Sequence, residues 1–206
     1  MIYKSFLFFI FLFISWQVNA NFYYEISDRE KVQNIIDELN LYQDMQILVL
    51  DLNNKGQKTF LNDIYNKNHI KNVQWIATIF YSKNEKNIKD TCIIFIREKQ
   101  NFIINHAQRL NLTIDEAWKI ISMHEIMHCI DNKHKITNKA DRAEVFADSL
   151  VWLYLQNYHP DKILLFKEIN LENSYPHNTF EKIKDLNIKT QNIDEMINFI
   201  INKFKK

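Results

Sequence analysis

Ile120-Ile121-Ser122-Met123-His124-Glu125-Ile126-Met127-His128-Cys129-Ile130 is apolar along most of its length, yet it carries two histidines and a single carboxylate. On a helix, residues four apart sit about 40° apart around the axis, so both imidazoles can reach one metal ion. Glu125, next to the first histidine, can reach a water at that ion. A glutamate inside an apolar run needs a partner or a chemical role. Just upstream, Thr113-Ile114-Asp115-Glu116 fits a capping box, with Thr113 as N-cap and Glu116 reaching back. The expected helix therefore starts at Thr113, runs to about Ile130, and carries the histidines in its second half.

Two histidines leave a catalytic zinc one protein ligand short, because such sites use three plus water. A second predicted helix (139–158) supplies Glu144, separated from His128 by fifteen residues, and Asp148, four apart on one face. Val145, Phe146, Ala147, Leu150, Val151, Trp152 and Leu153 surround them and mark this helix as largely buried. Two buried carboxylates at that spacing repel unless a cation lies between or near them. Zinc held by Glu144, with Asp148 accepting the far N–H of a ligating histidine, resolves the conflict. The alternative partners for Glu144 are Arg142 and Lys139 in a salt bridge.

His124-Glu125-x-x-His128 followed by Glu144-x-x-Ala147-Asp148 resembles the zincin metallopeptidases, in particular the gluzincin branch, over residues 113–155. The resemblance implies a zincin-like α+β fold, with a small mixed sheet preceding a helical half. It implies His124, His128 and Glu144 as zinc ligands, Glu125 as general base and Asp148 behind the first histidine. The Glu-x-x-Ala-Asp form is similar to peptidases of the CAAX-prenyl-protease type, which add a later His-Pro segment and an arginine. Ser174-Tyr175-Pro176-His177, followed by Phe180-Glu181-Lys182-Ile183, is more distantly similar. Here Tyr175 stands where the histidine would be, His177 follows the proline, and Lys182 replaces the arginine. His177, Tyr175 and Lys182 are thus the candidate transition-state donors. Met127 replaces the glycine common in such families.

Around this centre the chain reads as ordinary globular protein. Apolar residues make up 47% of 206, enough to build a core. The net charge of +1, without a basic block beyond Lys203, Lys205 and Lys206, argues against a nucleic-acid partner. A single glycine, Gly56, excludes a Gly-rich phosphate loop. Residues 28–40 form a helical pattern with Val32, Ile35, Ile36 and Leu39 on one face. Strands are expected at 46–52, 73–81 and 91–97, with a turn at Asn53-Asn54-Lys55-Gly56. Shorter helices are expected at 161–169, 179–188 and 193–204 after the break at His159-Pro160. By resemblance, one upstream strand should line the cleft and pair with substrate, and 91–97 is the strand chosen for it. His69, His106, His134 and His159 receive no role.

The first 20 residues have the form of a secretory signal. Lys4 gives a positive start, Phe6–Ile14 is apolar, and Val18-Asn19-Ala20 offers small residues for cleavage. The apolar run is shorter than the roughly 20 residues a membrane span needs, although a retained anchor is the competing reading. Cys92 and Cys129 either pair, as an oxidising compartment allows, or serve as buried thiols. The expectation is a signal peptide over 1–20 and one zincin-like domain over 21–206. That domain is an exported (periplasmic or secreted) zinc metallopeptidase that cleaves peptide or protein substrates with a zinc-bound water activated by Glu125. The alternatives are a non-catalytic zinc-binding module with a peptidase-like fold, and a zinc hydrolase acting on another envelope component.

Overall fold

The computed structural model describes residues 27–39, 45–51, 77–81, 90–96, 101–172 and 177–205. The signal segment, the turn at 53–56 and Tyr175 lie outside the described residues. Helix and strand are mixed, as an α+β chain requires. In chain order come α1 (Asp28–Leu39), β1 (Met45–Asp51), β2 (Ala77–Tyr81) and β3 (Asp90–Ile96). A helical half follows: α2 (Asn101–Leu110), α3 (Ile114–His134), α4 (Ala140–Tyr158), a 3₁₀ turn (Pro160–Lys162), α5 (Ile163–Glu172), α6 (Phe180–Ile183) and α7 (Ile193–Phe204). No helix among the described residues is long and apolar enough to cross a membrane.

The sheet has the order β1-β3-β2, with β1 and β3 parallel and β2 and β3 antiparallel. Cys92, Ile93, Ile94, Phe95 and Ile96 of β3 are all buried, as suits a central strand covered on both faces. This corrects the expectation that 91–97 pairs with substrate. Residues Thr91–Phe95 of β3 are matched on one side by β1 and on the other by β2, so their backbone groups are already engaged. The outer edge of β1 is also occupied. Arg29 Nε donates to Val49 O (2.9 Å) and Val49 N donates to Gln33 Oε1 (3.2 Å), so α1 is pinned along that edge. Among the described residues β2 is the remaining edge strand, and it lies against α3.

The helical half is organised by α3 and α4. The predicted capping box is present: Glu116 N donates to Thr113 Oγ1 (3.2 Å), and Thr113 N donates to Glu116 Oε2 (2.8 Å). α3 ends at Lys135, which takes the left-handed conformation (φ 51°). Asp131, buried near the end of α3, accepts from Thr137 N (2.6 Å) and from Thr137 Oγ1, which tightens the turn into α4. α4 then runs through the core, with Val145, Phe146, Ala147, Leu150, Val151 and Leu153 all buried. Trp152 Nε1 donates to Leu186 O (3.0 Å) and Asn157 Nδ2 donates to Ile188 O (3.0 Å), fastening the link between α6 and α7 to α4.

Among the described residues, one helix has no counterpart in the sequence expectations. α2 buries Ile103, Ala107 and Leu110, a helical spacing that is present in the sequence. The two cysteines are paired: Cys92 and Cys129 form a disulfide with Cα atoms 5.7 Å apart. It ties the central strand to α3 at the residue after His128.

Candidate metal centre

His124 and His128 project from one face of α3, one helical turn apart, and their Nε2 atoms approach to 3.1 Å. Glu144 comes from the first half of α4 and spans the two rings. Its Oε2 lies 3.5 Å from His124 Nε2, and its Oε1 lies 3.6 Å from His128 Nε2. One turn further along α4, Asp148 Oδ1 accepts from His124 Nδ1 at 2.9 Å. The contacts 124 with 148 and 128 with 144 run in opposite directions, so α3 and α4 are antiparallel at the site. That arrangement lets two four-residue spacings, one on each helix, meet face to face.

The carboxylate of Asp148 is an acceptor, so it holds a proton on His124 Nδ1, and loss of the other ring proton leaves the Nε2 lone pair turned toward His128 and Glu144. Two imidazole nitrogens and a carboxylate oxygen face one another at this point. His124, His128 and Glu144 form a group able to hold a metal ion. The spacing suits one. With one donor atom taken from each residue, the three atoms lie within 4.8 Å of one another.

Burial sharpens the electrostatics. Glu144 is only 16% exposed in its side chain, and burial alone would raise its pKa. The hydrogen bond to His124 and the charges of His124, His128 and His177 outweigh this and bring it to about 2. Burial likewise pulls His124 down, but hydrogen bonds to Asp148 and Glu144, with the charges of Asp148 and Glu125, hold it well above the ordinary imidazole value. His128 is shifted down, by burial first and then by the charge of His124. Among the described residues Glu144 pairs with His124, His128 and His177, and not with Arg142 or Lys139. Glu125 is buried, at 8% exposure, and its charge acts on both ligand rings.

Of the two candidate donors among the described residues, His177 and Lys182, the structure brings His177 to the site. His177 Nδ1 lies 3.1 Å from Glu144 Oε2, and its side chain is half exposed. Lys182 pairs with Asp141 (3.4 Å), one helical turn before Glu144. Two residues that the sequence reading passed over, Asn170 and Thr179, stand behind Asp148. A third, His106 on α2, lies near enough to feel the charges of Asp148 and His124, and its pKa is lowered chiefly by burial. The only sequence signal for Asn170 is its place between Ile169 and Leu171.

Fold and site together define an α+β protein whose two central helices gather a partly buried His-His-carboxylate group able to bind a metal. No protein-family model, curated protein or solved structure matches the chain.

Proposed function

We propose that the chain is an exported zinc metallopeptidase of the zincin type, gluzincin branch, with His124, His128 and Glu144 as ligands. The observation that carries this reading is the Glu144 carboxylate, which offers one oxygen to each imidazole while Asp148 backs His124. Two nitrogens and an oxygen make a donor set that suits zinc at a catalytic site, where a further position stays open. When bound, zinc acts as a Lewis acid that polarises the scissile carbonyl and acidifies a water.

The chain's own residues supply the rest. Glu125 takes the proton of the attacking water and delivers it to the departing amine, the work of a buried carboxylate beside the ligands. Asp148 keeps His124 in the tautomer whose Nε2 faces the metal. His177, beside Glu144 and half exposed, is the donor positioned to meet negative charge developing on the substrate carbonyl oxygen. The substrate main chain would pair with the outer edge of β2, the strand that runs against α3. The Cys92–Cys129 bridge supports an oxidising compartment, in agreement with an export signal over residues 1–20.

The test is incubation of zinc-loaded protein with a panel of unstructured polypeptides. Cleavage that a chelator stops and that Glu125→Gln abolishes is the expected result. Tight binding without cleavage would identify a zinc-binding module, and an inert protein that binds none of the panel contradicts the peptidase reading.

A further inference from the structure

The carboxylate behind His124 is itself held by two residues far from it in sequence. Thr179 Oγ1 donates to Asp148 Oδ2 at 2.5 Å, and Asn170 Nδ2 approaches the same oxygen at 3.4 Å. Asn170 Nδ2 also donates to Thr179 Oγ1 at 2.9 Å. Asn170 Oδ1 accepts from the backbone N–H of Thr179 (2.9 Å) and of Phe180 (2.6 Å). All four hydrogen-bonding positions of the Asn170 carboxamide are therefore used, within a site where Asn170 is 3% and Thr179 0% exposed.

The pattern has a direction. Two main-chain N–H groups fix which end of the carboxamide is oxygen, so Nδ2 must face Thr179 and Asp148. Its N–H fills an acceptor position on the Thr179 hydroxyl, which turns the hydroxyl proton onto Asp148 Oδ2. The other Asp148 oxygen is left for His124 Nδ1. The same carboxamide anchors the main chain at Thr179 and Phe180, two residues after His177, whose ring meets Glu144. One side chain on α5 thus governs both sides of the ligand set.

We propose that Asn170 and Thr179 are positioning residues for the metal centre, fixing Asp148 against His124 and the His177 segment against Glu144. The proposal rests on the metal reading given above, though not on peptide cleavage. Its test is zinc affinity by chelator competition, with the visible absorption of the cobalt-substituted protein, for the full chain and for Thr179→Val and Thr179→Ser. Thr179→Val keeps the shape and removes the hydroxyl. It is expected to weaken zinc binding about ten- to hundredfold and to alter the cobalt bands, whereas Thr179→Ser retains a donor and restores both. A folded Thr179→Val with the parent's affinity and spectrum overturns the proposal.

Should Thr179→Val fail to fold, the unsubstituted protein decides. Its Thr179 hydroxyl proton is expected as a resolved, slowly exchanging NMR resonance that moves when zinc is added. A hydroxyl that exchanges freely with water overturns the proposal. A parent chain that binds zinc and cleaves nothing contradicts the peptidase reading while supporting this one. A parent chain that takes up no zinc overturns both.

Discussion

The α3–α4 hairpin and the stretch from α5 to α6 both build the site, by opposite means. The hairpin places its groups through helix geometry: His124 and His128 on one helix and Glu144 and Asp148 on the other, each pair separated by one turn. Packing of buried residues such as Met123, Met127, Phe146 and Ala147 holds the two helices in register. The α5–α6 stretch contributes Asn170, His177 and Thr179 through hydrogen bonds between side chains and a few main-chain groups. A helix can lose one side chain and keep the others in place, since the backbone ladder carries the geometry. A hydrogen-bonded corner cannot, since each member orients the next. Hairpin substitutions should therefore remove one chemical function cleanly, and corner substitutions should loosen several together.

The largest effect expected from the hairpin is on turnover. Glu125→Gln should lower peptide cleavage by about 10²- to 10⁴-fold with zinc content unchanged, checked by kinetics alongside metal analysis. Parent-like cleavage would remove Glu125 from the proton-transfer role and break the comparison on its better-defined side.

The next effect is on stability. The Cys92–Cys129 bridge closes a separation of 37 residues and fastens the hairpin to β3. Replacing both cysteines by serine should cost about 3–4 kcal/mol in denaturant unfolding. A loss well below 1 kcal/mol would show that packing alone seats α3 on the sheet.

The dependence on pH follows from His124. Burial opposes protonation there, but the hydrogen bonds to Asp148 and Glu144 win, so the metal-free ring keeps a proton above the ordinary imidazole range. Below that raised pKa, metal uptake must expel a proton, and apparent zinc affinity should fall by about tenfold for each pH unit lost. Above it, the dependence should flatten. Glu144, ionised down to about pH 2, adds nothing to this slope over the neutral range. Affinity that does not change between mildly acidic and mildly alkaline pH would contradict the assignment of His124 as a ligand.

The smallest effect tests the start of the hairpin. Thr113→Ala removes the cap of α3 and should cost about 1 kcal/mol of stability, while the site, three turns away, keeps its metal affinity. A fall in affinity comparable to that of Thr179→Val would erase the distinction between the two regions.

What the sequence disclosed follows the same division. His124, His128, Glu144 and Asp148 were legible because helical periodicity converts a spacing of four into a shared face, and because a buried carboxylate pair asks for a cation. The capping box at Thr113 was legible for the same local reason. Asn170 and Thr179 were not, since their partners lie 22 and 31 residues away and only the folded chain brings them together. The choice of 91–97 as the substrate strand failed on sheet order: the third strand in sequence lies in the middle, which no local pattern records. The Cys92–Cys129 pairing depends on a Cα separation that only the folded chain supplies, whereas the period of Ile103, Ala107 and Leu110 in α2 is local and present in the sequence.

Metal content of the purified chain beside Glu144→Ala tests the centre most directly. One zinc per parent chain, lost from a variant that keeps its helical content, is the result expected of a carboxylate that bridges two imidazoles. Equal zinc in both proteins, or none in the parent, would contradict it.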